Sequence, residues 1–181
     1  MKFNYNTQIK RLYTSLQKLN NKLIEDMYHY LERAVTNNNT IYAFGNGGSA
    51  SIANHFACDF LKGSNYKKKI RYISLSCNNE LITAISNDIG YSSIYSFQLE
   101  RLVKKDDLII AISSSGNSKN IIKAVQIANR KKAHTIGLTG FDGGKVSQIV
   151  DLSINIKSDN YGVIEDSHSF LMHFMSQKLH K

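Results

Sequence analysis

The stretch that decides the fold is DLIIAISSSGNSKNIIKAVQIANR, residues 107–130. We predict a strand over residues 107–113, because its centre, LIIAI, is a continuous apolar run typical of a strand buried on both faces of a parallel sheet. The run ends in residues 113–118, where serine, glycine and asparagine favour a turn. We predict a helix over residues 120–131, which follow this turn. A buried strand, a small polar turn and a helix indicate a βα unit.

The same alternation continues on both sides of this stretch. Further strands are predicted over residues 40–44, 71–75, 134–139 and 152–156. Further helices are predicted over residues 49–62, 80–86, 93–103 and 161–179, with a short one ending at residue 149. Apolar strands separated by helices imply right-handed crossovers and a mostly parallel sheet covered on both faces. We therefore predict one α/β domain over residues 1–181.

A long amphipathic helix is predicted before the first strand. Its apolar stripe recurs at steps of three or four residues and consists of Ile9, Leu12, Leu16, Leu19, Leu23, Met27 and Leu31. Asn20 and Asn21 are expected to weaken its middle. This N-terminal segment, residues 1–36, packs either on its own domain or on a neighbouring subunit, and an exposed leucine stripe favours oligomerisation.

Composition excludes several classes of protein. With 42% hydrophobic and 20% charged residues among 181, the chain is unlike disordered proteins. No apolar run is long enough to cross a bilayer, and the first residues, MKFNYNTQIKRLY, lack the apolar region of a signal peptide. The two cysteines, Cys58 and Cys77, imply no disulfide framework; we expect a cytoplasmic protein and interpret both as small core residues.

The charge is strongly basic, with 23 Lys and Arg against 14 Asp and Glu, a formal net charge of +9. The cations cluster at residues 67–71, 101–105 and 130–132, but no recognisable nucleic-acid-binding module surrounds them. We therefore expect no nucleic-acid partner. A basic surface instead attracts anionic metabolites.

Three strands end in loops of glycine, serine and asparagine, at residues 45–49, 113–118 and 140–144. Ligands of open α/β sheets bind beyond the carboxyl ends of the strands. In residues 113–118 several hydroxyls and backbone N–H groups precede a helix, an arrangement that suits a phosphate monoester. The sequence completes neither GxxxxGK[ST] nor GxGxxG, so neither nucleotide-binding motif is present. The alternative is that these residues only form tight turns and caps.

Two pairs of polar residues share helix faces. His55 and Asp59 are four residues apart, and Glu165 and His173 are eight apart, about 80° round an ideal helix. Together they can bind a divalent metal such as zinc or nickel, or act as a base and an acid. Spacing alone equally allows local hydrogen bonds. The remaining histidines, for which we expect surface or capping roles, are His29, His134, His168 and His180.

Four segments of the sequence carry a family resemblance: AFGNGGSASIANHFACDFL, LITAISNDIGYSSIYSFQLE, IAISSSGNSKNIIKAVQIA and IGLTGFDGGKVSQIVDLSINIKSDN. They closely resemble phosphoheptose isomerases of the sugar isomerase (SIS) fold. The resemblance implies a flavodoxin-like three-layer α-β-α sandwich with a five-stranded parallel sheet, assembled as a homotetramer with active sites at subunit contacts. It implies conversion of sedoheptulose 7-phosphate to D-glycero-D-manno-heptose 7-phosphate through an enediol. Such heptose feeds lipopolysaccharide or capsule synthesis.

The resemblance also assigns site residues. Substrate contacts would come from Asn46, Gly47, Gly48, Ser49, Asn87, Asp88, Ser113, Ser114, Ser115, Ser118 and Glu165. A divalent metal, expected to be zinc, would be held by His55, Asp59, Glu165 and His173. Of these, Asp59 would be the general base and His173 the acid.

Three positions depart from the family pattern. Asp59 stands where the family has glutamate, Glu165 stands where it has glutamine, and Lys62 and Gly63 occupy a stretch where an arginine is common. These departures leave alternatives open. The alternatives to a heptose isomerase are a non-catalytic sugar-phosphate sensor, a scaffold resembling replication-initiator-associating proteins, and an isomerase for another sugar phosphate.

Overall fold

A five-stranded sheet organises the computed structural model, which describes residues 4–62 and 69–179. All its strand pairs are parallel and their order is β2-β1-β3-β4-β5. The strands are β1 (Thr40–Gly45), β2 (Arg71–Ser74), β3 (Leu108–Ser113), β4 (His134–Gly140) and β5 (Leu152–Ile156). This is the flavodoxin-like order, which confirms the predicted fold class.

Eight α-helices surround the sheet in the described residues. They are α1 (Tyr5–Gln17), α2 (Asn21–Thr36), α3 (Gly48–Lys62), α4 (Asn79–Asp88), α5 (Ser96–Leu102), α6 (Lys119–Arg130), α7 (Gly144–Ile149) and α8 (Tyr161–Leu179). Most bounds agree with the predicted ones within one or two residues. Outside the N-terminal segment, the largest difference precedes α5, where a single 3₁₀ turn, Tyr91–Ser93, occupies the predicted start of the helix.

The core lies on the two faces of the sheet and makes three layers. Alternate residues of β1 show this, because Ile41 and Ala43 face one buried cluster while Tyr42 and Phe44 face the other. The first cluster is filled from α2, α3 and α8, and the second from α4, α5, α6 and α7. The central strand β3 is buried along its whole length, as its continuous apolar run predicts.

The N-terminal segment forms two helices, so the expectation of one long helix is wrong. The break falls after α1, where Asn20 adopts an extended backbone and its side chain accepts the Lys22 N–H as the N-cap of α2. Helix α2 packs on its own domain through Met27 and Leu31, which are fully buried. By contrast, α1 exposes apolar side chains at Tyr5, Ile9 and Tyr13.

The strand order creates a switch point between β1 and β3, where chain connections leave toward opposite edges of the sheet. In this fold class ligands bind in the crevice at that point. No helix among residues 4–62 and 69–179 has the length and apolar content needed to cross a membrane.

Candidate active site

A cavity of about 160 Å³ lies at the switch point. It is lined by Asn46, Ser49, Ile112, Ser113, Ser114, Ser115, Ser118, Tyr161 and Glu165. Ser113 is the last residue of β3, and Ser114, Ser115 and Ser118 follow it. Asn46 belongs to the loop after β1, and Ser49 to the first turn of α3. The sequence prediction that these loops form one site therefore agrees with where the structure places them.

Two of the serine hydroxyls in this cavity lack partners among the described residues, whereas Ser115 Oγ accepts the Asn117 N–H at 3.2 Å. Ser113 Oγ and Ser114 Oγ are buried and make no hydrogen bond to any described residue. Ser118 is the N-cap of α6, yet its side chain forms no capping bond. Unsatisfied buried hydroxyls are costly, and the N-terminus of a helix favours an anion. The cavity is therefore suited to a phosphate group.

Backbone contacts with the next loop hold the serine loop in place. Gly140 N–H donates to Ser114 O at 2.8 Å, and Val146 N–H donates to Gly116 O at 2.8 Å. Gly116 has φ +64°, and a side chain there would collide with the Gly143 carbonyl. The loops after β3 and β4 thus form one rigid wall.

The glycine loop after β1 approaches α8 closely. A Cβ at Gly48 would overlap the Glu165 carboxylate, so the glycine lets this carboxylate lie directly against the backbone. Burial and the neighbouring Asp166 raise the pKa of Glu165 above its ordinary value. Glu165 is also one of the residues that line the serine cavity.

His55, Asp59 and His173 come together at the junction of α3 and α8. Asp59 Oδ2 lies 3.4 Å from His55 Nε2 and 3.5 Å from His173 Nε2, and the two Nε2 atoms are 3.3 Å apart. Around a tetrahedral zinc with bonds of about 2.0–2.2 Å, ligand atoms are about 3.3–3.6 Å apart. The three side chains therefore fit one face of such a site.

Glu165, the fourth predicted ligand, is not part of this three-residue group. Its assignment as a metal ligand stays a prediction, while its carboxylate lines the cavity.

Comparisons with known proteins agree with this geometry. The SIS domain model matches residues 4–140. The phosphoheptose isomerase of Helicobacter pylori strain P12 is 36% identical over 168 residues, which cover 92% of this chain and 85% of the relative. This chain belongs to the phosphoheptose isomerase family.

Solved structures extend this likeness. The phosphoheptose isomerase of Neisseria gonorrhoeae superposes with a TM-score of 0.89 at 30% identity, covering 97% of this chain and 94% of that one. The phosphoheptose isomerase of Francisella tularensis gives a TM-score of 0.91 at 27% identity, with the same coverage of each chain. The family assignment thus holds for both sequence and fold.

Four predicted substrate contacts are not among the residues that line the cavity of this phosphoheptose isomerase family member: Gly47, Gly48, Asn87 and Asp88. Asn87 and Asp88 are exposed at the end of α4, where Asn87 Nδ2 donates to Asp88 Oδ1 at 2.9 Å. Tyr91, three residues after Asp88, connects this segment to the cavity, because its hydroxyl donates to Asn46 Oδ1 at 3.0 Å. Contact of Asn87 and Asp88 with substrate stays a prediction.

Sequence reasoning missed three residues of the site. Tyr161 lines the cavity and Tyr91 contacts Asn46, while Asn120 pairs with Asn46 from the first turn of α6. Asn120 lies two residues beyond the serine loop, so its proximity to the predicted helix N-terminus was the available signal. The tyrosines gave no such signal.

Three further expectations are corrected by burial. His168, expected at the surface or in a cap, is fully buried, and its Nε2 lies 3.0 Å from Thr139 O. Burial lowers the pKa of His168 to about 4. Cys58 and Cys77, expected in the core, are exposed. His180 and Gly63 lie outside the described residues.

Proposed function

We infer that this protein is a phosphoheptose isomerase that interconverts sedoheptulose 7-phosphate and D-glycero-D-manno-heptose 7-phosphate for heptose biosynthesis. The observation that carries this inference is the placement of two sites along the same pair of helices. Ser49 and Glu165 line the phosphate cavity, and His55 and His173 lie six and eight residues further along α3 and α8. These separations correspond to about 9 and 12 Å of helix rise. An extended sugar phosphate reaches from one site to the other.

Binding of the phosphate by the serine loop holds the far end of the sugar near the histidines. Ser113 and Ser114 offer buried hydroxyls, and the N-terminus of α6 adds its favourable dipole. Binding energy from the non-reacting phosphate end fixes the position of the reacting carbons.

The proton transfers fall to Asp59 and His173. Asp59 removes a proton from C1 of the ketose while the C2 oxygen gains a proton from His173, which gives a cis-enediol. The O1 proton then leaves to the histidine and the carboxylic acid of Asp59 returns a proton to C2, which gives the aldose. Protons balance, and no redox partner is needed.

A divalent metal fits the donor set of His55, Asp59 and His173. Two histidines and a carboxylate are common ligands of catalytic zinc, and we propose zinc with Glu165 as the fourth ligand. Such a metal supplies Lewis acidity toward the carbonyl and hydroxyl oxygens of the sugar.

We also propose that the chain is a single domain that assembles as a homotetramer in the cytoplasm. Exposed apolar side chains on α1 and α8 support self-association. They are Tyr5, Ile9, Tyr13, Phe170 and Phe174. Two exposed free cysteines suit a reducing compartment.

The test is an NMR turnover assay with sedoheptulose 7-phosphate after chelation, with and without added zinc. We expect aldoheptose 7-phosphate to form and zinc to restore activity lost on chelation. Turnover that is insensitive to chelation would retain the acid–base pair and reject the metal. Binding of the sugar phosphate without turnover would instead favour a sensor, a scaffold or another substrate.

A further inference from the structure

Two asparagine side chains join the loop after β1 to the first turn of α6. Asn46 Nδ2 donates to Asn120 Oδ1 at 3.1 Å, and Asn120 Nδ2 donates to Asn46 Oδ1 at 2.8 Å. Asn46 lines the phosphate cavity, whereas Asn120 is only 2% exposed and is not among the lining residues. Asn120 therefore does not line the cavity itself but contacts a residue that does, Asn46.

The Asn120 amide has one satisfactory orientation. Its Oδ1 also accepts the backbone N–H of Ile121 at 3.0 Å, and a nitrogen in that position would place two donors against each other. The Asn120 nitrogen must therefore face Asn46 Oδ1. The Tyr91 hydroxyl donates to the same oxygen of Asn46 at 3.0 Å.

These contacts decide which group Asn46 offers to a ligand. Its oxygen accepts from two donors, and one of its two N–H groups is taken by Asn120. The group that remains is a single N–H, a donor. A reversed amide would offer a carbonyl oxygen instead, which repels the oxygens of a phosphate or an enediolate.

We propose that Asn120 is a positioning residue for the isomerase reaction: together with Tyr91 it fixes the Asn46 amide so that the cavity receives an N–H donor for an oxygen of the sugar phosphate. This proposal rests on the proposed function. The hydrogen bonds of the Asn46 amide join three separate segments of the chain: the loop after β1, the turn before α5 and the N-terminus of α6. A contact between Lys123 Nζ and Ser92 Oγ at 2.7 Å ties the last two segments together beside it.

A double-mutant cycle on Asn46 and Asn120 tests this role. Kd for sedoheptulose 7-phosphate is measured by calorimetry for Asn46→Ala, Asn120→Ala and the double variant. We expect each single change to raise Kd about tenfold, and the double variant to remain at about tenfold because both remove the same donor. Gln126→Ala, an exposed change on the same helix, should keep the wild-type Kd. An additive, roughly hundredfold loss in the double variant would overturn the proposal.

Two milder variants separate positioning from folding. Asn120→Asp preserves the shape and both accepted bonds but cannot donate to Asn46, and Tyr91→Phe removes one hydroxyl from a side chain that is 55% exposed. We expect both to weaken sugar-phosphate binding. Tyr91→Phe should do so with little change in Tm, whereas Asn120→Asp should also lower Tm because it places a buried carboxylate against Asn46 Oδ1. Tyr5→Phe on exposed α1 should have no effect. Wild-type affinity in either variant contradicts the proposal.

Calorimetry keeps this outcome separate from that of the proposed function. If the wild-type protein binds the sugar phosphate but does not isomerise it, the proposed function fails and the cycle still decides the role of Asn120. If the wild-type protein does not bind the sugar phosphate, both fail.

Discussion

The serine cavity and the His–Asp cluster are built in different ways. The cavity is formed by loops that backbone hydrogen bonds hold in place, and two of its hydroxyls are buried. The cluster is formed by side chains from two helices, and those of His55 and His173 are 56% and 48% exposed. The proposed anion recognition therefore depends on the strand order of the fold, whereas the proposed chemistry depends on side chains that α3 and α8 bring together. We therefore expect that each region can be disabled without the other.

The largest effect is expected from Asp59→Asn. This change removes the proposed general base but keeps the side-chain shape, and general acid–base catalysis contributes about 10²–10⁴-fold. Turnover of sedoheptulose 7-phosphate should fall by about that factor, measured as kcat. Binding of inorganic phosphate at the distant serine loop should stay near the wild-type value.

Asp26→Asn provides the matched control for this change. Asp26 lies on α2 and forms a surface ion pair with Lys22, so its loss should leave kcat unchanged. Retention of full turnover by Asp59→Asn would remove Asp59 from the mechanism. A parallel loss of phosphate binding would show that the two regions are not independent.

The two regions also differed in how far they could be predicted from the sequence. The serine loop was predictable because hydroxyls and glycine at a strand end, before a helix, have a direct physical meaning. The spacing of His55 and Asp59 allowed several interpretations. Only the resemblance, and then the packing of α3 against α8, brought His173 to the same point.

What remained unpredictable depends on long-range contacts. The pairing of Asn46 with Asn120 joins residues 74 positions apart, which no local pattern encodes. The burial of His168 likewise depends on where α8 packs against β4. The break between α1 and α2 was signalled by Asn20 and Asn21, but the apolar stripe that continues across them favoured one helix.

The next largest effect concerns the buried His168, which lies between the two regions. It lies on α8 between Glu165 and His173 and contacts Thr139 O, next to Gly140, whose N–H donates to Ser114 O. Because burial lowers the pKa of His168 to about 4, the unfolded chain binds more protons than the folded one between about pH 4 and the ordinary histidine pKa of about 6.5. The contribution of the neutral, buried His168 to stability is therefore fully present above about pH 6.5 and is lost as the pH falls toward 4.

Urea unfolding at pH 7 and pH 5 measures this loss. We expect the free energy of unfolding to fall by about 2 kcal/mol from this histidine alone. His168→Gln retains a donor for Thr139 O and does not titrate, so its profile should be flatter over this range. His29→Gln, at an exposed position of α2, should keep the wild-type slope. Identical slopes in wild type and His168→Gln would assign the pH dependence to other groups.

The smallest effect is expected from Ser114→Ala. This change should weaken phosphate binding without lowering the stability of the protein. Ser114 Oγ is buried and has no hydrogen-bond partner among the residues that the structure describes, so its removal should leave Tm unchanged or slightly raised in the absence of ligand. The Kd for inorganic phosphate should rise about tenfold, since one buried hydrogen bond to the anion is lost. Ser167→Ala is the control, because that buried hydroxyl donates to Val163 O at 2.7 Å within α8 and is not among the residues that line the cavity; its loss should leave the phosphate Kd unchanged. If Ser114→Ala instead lowers Tm and keeps the wild-type Kd, the hydroxyl serves the fold and the phosphate binds elsewhere.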